Sequence, residues 1–341
     1  MPTPRLISIP NCGGQRMQKL NEEIKSGNLK SLYLLYGEEA YLIKQYRDRL
    51  KDALLNSGDS MNYHYFEGKD VNIGEIIDLA ETLPFFSDRR VIIIENSGLF
   101  KHGGEQLAEY LKEPSETTFF VLVEREIDKR SKLYKAVSSK GRAVEFKAQD
   151  ESVLKRWILG LLKKENKKIT EKDLQLFLEK TGTGMENISK ELEKLICYCI
   201  DKEIISGEDI EAVCIRQINN QIFDMMNAIA EKRQKKAMEL YYDLLTLKEP
   251  PMRILFLLAR QFNVLLQVKE LNNKGYPSKT IGENVGLPAF IAGKYVNQAA
   301  KFSAKDLRMA VNDCVEAEEA VKTGKMNDVL SVELLLIKYS V

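Results

Sequence analysis

Apolar positions fall into two textures that meet near residue 150. In the first part, short continuous apolar runs alternate with segments of helical spacing. Ser31-Leu32-Tyr33-Leu34-Leu35-Tyr36 is such a run, stopped by Gly37, and reads as a strand buried on both faces. From Glu38 to Leu54, apolar residues recur at Tyr41, Leu42, Tyr46, Leu50 and Leu54, the stripe of an amphipathic helix. Asn62–Phe66 is aromatic-rich and strand-like, and Ile73–Leu83 is helical up to Pro84. Arg90–Glu95 (RVIIIE) reads as a strand, Leu107–Leu111 as a helix stopping before Pro114, Thr117–Glu124 (TTFFVLVE) as a strand, and Ala143–Phe146 as a last, short strand. Strands alternating with helices predict a mainly parallel sheet covered on both sides.

Beyond Gln149-Asp150 the sequence predicts helices alone. Ser152–Leu162, Glu171–Lys180 and Met185–Ile200 have helical spacing, with the turn Thr181-Gly182-Thr183-Gly184 before the third. A short helix starts at Gly207-Glu208-Asp209. From Gln217 the pattern is helical, broken at Pro250-Pro251, Gly275-Tyr276-Pro277, Gly286-Leu287-Pro288 and Thr323-Gly324. The expected divisions are 1–150, 151–215 and 216–341, an α/β region followed by all-α regions.

The 341 residues suit two or three domains. With 51 Lys+Arg against 50 Asp+Glu, the formal charge of +1 argues against a free-standing nucleic-acid coat or a membrane-surface protein, each of which needs a cationic excess. The longest apolar run, Ile254–Ala259, ends at Arg260 and is far short of the roughly 20 residues that cross a bilayer. The opening MPTPRLISIPNCGG lacks the apolar core of an export signal. The first dozen residues are expected to be unstructured. Cys12, Cys197, Cys199, Cys214 and Cys314 are odd in number and scattered, which fits free thiols in a reducing cytoplasm.

Gly37 stands where a nucleotide-binding fold would begin its phosphate loop. That loop needs G-x-x-x-x-G-K-[ST], but the sequence runs Gly37-Glu38-Glu39-Ala40-Tyr41-Leu42-Ile43. The second glycine, the lysine and the hydroxyl are missing, and two carboxylates, Glu38 and Glu39, sit where the phosphates would go; they repel phosphate and suit a helix N-terminus. Ile92-Ile93-Ile94-Glu95 has the outline of a magnesium-holding strand, but without the loop Glu95 reads as a structural acid.

Other chemistry is weakly signalled. Ser152-x-x-Lys155 and Lys322-Thr323-Gly324 match fragments of penicillin-binding enzymes without their third motif, and read as a helix start and a helix break. Two histidines, His64 and His102, and the close pair Cys197/Cys199 form no zinc spacing and no nucleophilic triad. Gly13-Gly14 and Gly103-Gly104 are isolated loop signals. No catalytic residue, cofactor or metal is expected. The basic clusters Lys163-Lys164, Lys167-Lys168 and Lys232-Arg233-Gln234-Lys235-Lys236 read as solvated faces, with phosphate contact as the alternative.

Thr82-Leu83-Pro84-Phe85-Phe86-Ser87-Asp88-Arg89-Arg90 joins a helix to a strand. Two adjacent phenylalanines in a surface connection are informative, since burying each is worth roughly 1.5–3 kcal/mol. The reading favoured on the residues alone folds both rings into the core; the other makes them an aromatic plug for a partner's pocket.

The order of these features resembles the delta subunits of bacterial DNA polymerase III. The resemblance is carried by Leu32–Glu39 with Tyr41-Leu42, Leu83-Pro84-Phe85-Phe86 with Arg89–Ile93, and Met185–Ile188 through Glu191–Leu195. It continues through Phe223-Asp224 to Ala230, Leu257–Phe262, Gly275-Tyr276, Glu316–Glu318 and Val321–Gly324. Relatives often carry a leucine directly before the phenylalanine where this chain has Pro84-Phe85-Phe86.

The resemblance implies an AAA+-like module with a parallel sheet and no phosphate loop, then a small helical lid-like domain and a helical collar. It also implies a non-catalytic part of the polymerase assembly, in the cytoplasmic replisome. The expected partners are the beta sliding clamp, the ATPase motor subunits, the delta-prime subunit and primed DNA within the complex, with no membrane. Phe85, Phe86, Leu83 and Pro84 would contact the clamp, and Arg89 and Arg90 would lie at the rim of that contact. Ile222, Met226 and Ile229 would serve either the collar interface or its interior. The alternatives are a divergent AAA+ ATPase acting on DNA and a freely acting DNA-binding protein.

Overall fold

The computed structural model describes residues 15–55, 58–214, 218–287 and 289–340. The first dozen residues, expected to be unstructured, lie outside them, Cys12 included. The chain divides into two compact units, one ending at Gln149 and the other starting at Asp150.

The first unit runs α1 (Gln15–Ser26), β1 (Leu32–Gly37), α2 (Ala40–Leu54), β2 (Tyr63–Glu67), α3 (Ile73–Glu81), β3 (Arg90–Glu95), α4 (Glu105–Tyr110), β4 (Thr118–Glu124), α5 (Lys132–Lys140) and β5 (Arg142–Phe146). The five strands form one sheet in the order β2-β3-β4-β1-β5, and every pairing is parallel. Tyr33 sits opposite Val121 on one side and Arg142 on the other. Both faces are covered, which is why β1, β3 and β4 are almost continuously apolar. Leu32, Leu34, Tyr36, Ile92, Ile94, Phe120 and Leu122 pack with Ile76, Leu107, Leu133 and Val137 of α3, α4 and α5. The alternate residues Tyr33, Leu35, Val91, Ile93 and Val121 are equally buried, as are Leu42, Ile43, Tyr46 and Leu50 of α2.

Two helices of this unit escape the pattern analysis. α5 reads KLYKAVSSK, with only Leu133 and Val137 buried, and the stripe is too narrow to stand out. α1 has few apolar positions, though Met17 and Leu20 are buried.

The second unit runs α6 (Glu151–Lys164), β6 (Lys168–Ile169), α7 (Glu171–Thr181), α8 (Met185–Tyr198), β7 (Ile204–Ile205) and α9 (Gly207–Val213). It continues with α10 (Ile218–Ala230), α11 (Gln234–Thr246), α12 (Pro251–Asn273), α13 (Ser278–Val285), α14 (Ala289–Ala300), α15 (Ala304–Lys322) and α16 (Asp328–Ser340). The expectation of no strand here is corrected by β6 and β7, a parallel pair of two residues each, too short for any periodicity to register. Asp150, not Ser152, caps α6: its carboxylate accepts from the Val153 amide at 2.8 Å and from the Ser152 hydroxyl at 2.7 Å. Lys167 Nζ donates to the carbonyls of Cys199, Ile200 and Lys202, tying down the turn that follows α8. Helix α12 begins at Pro251, in the first-turn position where its missing N–H costs nothing. Around it pack Ile222, Met226 and Ile229, all interior, with Leu240, Leu244, Leu307, Val332 and Leu336. No helix among the described residues is long and apolar enough to cross a membrane.

Candidate functional site

The loop between α3 and β3 is the most apolar exposed feature of the first unit. Thr82 ends α3, its hydroxyl donating to Leu79 O at 2.6 Å, and Pro84 prevents the helix from continuing. Leu83 is 80% exposed, Phe85 56% and Phe86 94%. This corrects the reading that folds both rings into the core. The two rings pack edge to face, centroids 4.6 Å apart, and present a joint apolar knob.

The loop is held from below by side chains that begin neighbouring strands. Asn62, just before β2, is fully buried. Its Oδ1 accepts from the Phe85 amide at 2.6 Å and its Nδ2 donates to the Phe85 carbonyl at 2.8 Å. The Asp59 carboxylate accepts from both the side-chain and the backbone nitrogen of Asn62. Arg90, the first residue of β3, donates from Nη2 to Leu83 O at 2.9 Å, and its Nη1 lies 3.2 Å from His64 Nε2. Phe86 then takes φ +47°, a left-handed conformation unusual for a bulky side chain.

Arg90 is thereby a correction. At 6% exposure it is not a rim charge: its guanidinium turns inward to the Leu83 carbonyl and the His64 ring. Arg89 remains partly exposed, its guanidinium over the Phe119 ring at 5.2 Å. Pro84 is half-buried. Burial and the Arg90 charge hold the His64 pKa below its ordinary value, so the neutral ring accepts from Arg90. Asn62 and Asp59 have no counterpart among the sequence motifs, and His64 figures there only as a rejected metal or triad candidate, because their roles arise from strand pairing and not from local spacing.

At the other end of the strands, where they finish, the turn from β1 to α2 occupies the place of a phosphate loop. Gly37 has φ +132°, and a Cβ there would lie 2.3 Å from Phe146 O. The Glu39 amide, which a phosphate cradle would offer to a ligand, donates instead to Phe146 O at 3.1 Å. Burial pushes the Glu39 carboxyl up to about 7. Glu95 at the end of β3 is paired with Arg47 of α2 at 2.6 Å and accepts from the Tyr65 hydroxyl.

The remaining candidate groups stay apart. Lys155 pairs with Glu171 and Glu151, not with Ser152. Thr323 ends α15, and Gly324 follows with φ +72°. Lys168 pairs with Glu203, Arg233 with Glu231 and Lys236 with Glu239. Cys197 is exposed, while Cys199, Cys214 and Cys314 are buried free thiols. Among the described residues, no group of three or more His, Cys, Asp or Glu is placed to hold a metal ion.

A five-stranded parallel sheet with helices on both faces, continued by a largely helical second unit, is the α/β-plus-all-α arrangement that the sequence predicts. Residues 33–147 match the family described as DNA polymerase III, delta subunit, and residues 219–339 match the DNA polymerase III delta subunit, C-terminal domain. A DNA polymerase III subunit delta of Bacillus subtilis (strain 168) is 28% identical over 330 residues, covering 93% of this chain and 95% of the relative. The solved structure of the Bacillus subtilis DNA clamp loader delta protein superposes with a TM-score of 0.73 at 26% identity, over 95% of this chain and 99% of that one. The chain belongs to the DNA polymerase III delta subunit family, the clamp-loader component of a replication polymerase.

Proposed function

We propose that this chain binds the ring-shaped beta sliding clamp through Leu83, Pro84, Phe85 and Phe86 and favours its opened form, so that the ring can be placed on primed DNA. The carrying observation is the exposed Phe85–Phe86 knob on a loop tied to the sheet edge. Exposed aromatics of this kind fill apolar pockets and dominate binding energy. Arg89 supplies the charge at the rim. Opening requires that the knob prefer the open ring, since equal affinity for both forms shifts nothing.

The subunit is read as having no catalysis of its own. The occupied Glu39 amide and the Arg47–Glu95 pair support this, because each ties up a group that nucleotide chemistry would use. Nucleotide turnover then belongs to the ATPase motor subunits, which with the delta-prime subunit form the rest of a cytoplasmic loader. Within the second unit, 151–215 is read as a lid-like domain and 216–341 as a collar. Phe256, Leu330, Leu334 and Ile337 are exposed and apolar, and suit packing against neighbouring collars.

The test is binding of the purified chain to its cognate clamp, beside a Phe85→Ala/Phe86→Ala variant. Both rings are exposed, so the variant should keep its melting temperature. Its affinity should fall by at least about 100-fold, as expected for loss of a two-residue hot spot. Unchanged affinity would place the contact elsewhere.

A further inference from the structure

We propose that Asn62 is the positioning residue of the tip: its buried side-chain amide latches Phe85 and presets the knob that a partner receives. This rests on reading the tip as the clamp contact. The amide forms both hydrogen bonds that a paired strand would form, accepting from Phe85 N at 2.6 Å and donating to Phe85 O at 2.8 Å. Only one orientation of the amide satisfies both bonds. Asp59 fixes that orientation by accepting from Nδ2. The Asn62 backbone is itself locked, its carbonyl accepting from Val91 N at 2.8 Å in continuation of the β2–β3 ladder. The sheet edge is thus extended sideways by one side chain, and Phe85 becomes an outlying member of the ladder.

The latch has a specific consequence for Phe86. With Phe85 held at both polar backbone atoms and Leu83 held by Arg90, the backbone leading into Phe86 follows a fixed path. Phe86 absorbs that path with its positive φ, and its ring is left 94% exposed. A knob preset in this way does not lose loop entropy on docking, which is where binding affinity is commonly lost. Asn62 touches no partner in this scheme; it acts through Phe85.

The test uses the full chain in two measurements. Site-resolved hydrogen exchange on the free protein reads the latch. Clamp titration reads its consequence. In Asn62→Ala, the Phe85 amide should exchange at least about 10-fold faster, while amides of α3 and β3 keep their protection. Clamp affinity should fall by about 10-fold. In a Phe86→Ala background the same substitution should cost less, because two groups acting through one knob are not additive.

If Asn62→Ala proves too unstable to purify, Asp59→Ala decides: Asp59 is on the surface, and its loss should raise Phe85 exchange and weaken the clamp by about 2–5-fold. Phe85 exchange unchanged in a folded variant overturns the latch. Faster exchange with unchanged clamp affinity overturns its positioning role. Wild-type clamp affinity in Phe85→Ala/Phe86→Ala would instead overturn the clamp-contact reading, while the exchange experiment on free protein would still judge the latch.

Discussion

Glu39 shows what became of the turn after β1. Its carboxyl ordinarily titrates at 4.5 and is pushed by burial up to about 7. Below pH 4.5 it is protonated in both folded and unfolded chain. Between 4.5 and 7 the fold holds the proton that the unfolded chain releases, so stability falls as pH rises; above 7 the loss is complete. Glu39→Gln should therefore raise stability at pH 8 by about 1–2 kcal/mol, allowing for solvent screening, and have little effect at pH 4. Urea unfolding at the two pH values checks this. His64 has the opposite slope. Its pKa is depressed from an ordinary 6.5, so its contribution is present above 6.5 and lost as pH falls below. His64→Asn should flatten that acid-side slope in the same titration.

Single residues also mark the limit of sequence reading. Phe85 and Phe86 are conspicuous in the chain, but their direction is not legible there. It is fixed by Asn62, 23 positions from Phe85, and by Arg90, seven positions from Leu83. The family resemblance puts Arg90 at the rim of the contact, whereas the sheet makes it a strut.

Among the elements, β1, β3 and β4 were plain in the sequence because burial on both faces leaves an unbroken apolar run. β6 and β7 were invisible because two residues have no period. The β1–α2 turn was recognised as a failed phosphate loop, and its geometry adds the reason: β5 closes over it. Gly37→Ala would set a methyl 2.3 Å from Phe146 O at a φ of +132°. The substitution should cost about 3 kcal/mol or more, seen as a lowered denaturant midpoint, because backbone lies on both sides of the clash. Lys167 offers a milder test. Replacing it by Met strips three carbonyls in the turn after α8 of a shared charged donor, and should cost about 1–2 kcal/mol in the same assay.

For the whole molecule, the polarity of a parallel sheet separates the closed turn from the exposed knob. Strand C-termini, where α/β proteins usually hold small ligands, carry the closed turn and the Arg47–Glu95 pair. Strand N-termini carry the knob. Calorimetric titration with magnesium-ATP should accordingly give no saturable binding, and Arg47→Ala, which strands the Glu95 acid, should lower stability without creating nucleotide affinity. Leu334→Asp/Ile337→Asp should impair assembly with the other loader subunits in size-exclusion analysis while leaving clamp binding intact.

The left-handed backbone at Phe86 bears on mimicry. A linear peptide spanning 82–90 has neither Asn62 nor Arg90 to restrain it and must order itself on the clamp. A cyclic peptide with D-phenylalanine at the position of Phe86 would find positive φ its natural region. Such a ring should compete for the clamp at far lower concentration than the linear all-L peptide, turning a strained residue of the protein into the relaxed residue of an inhibitor.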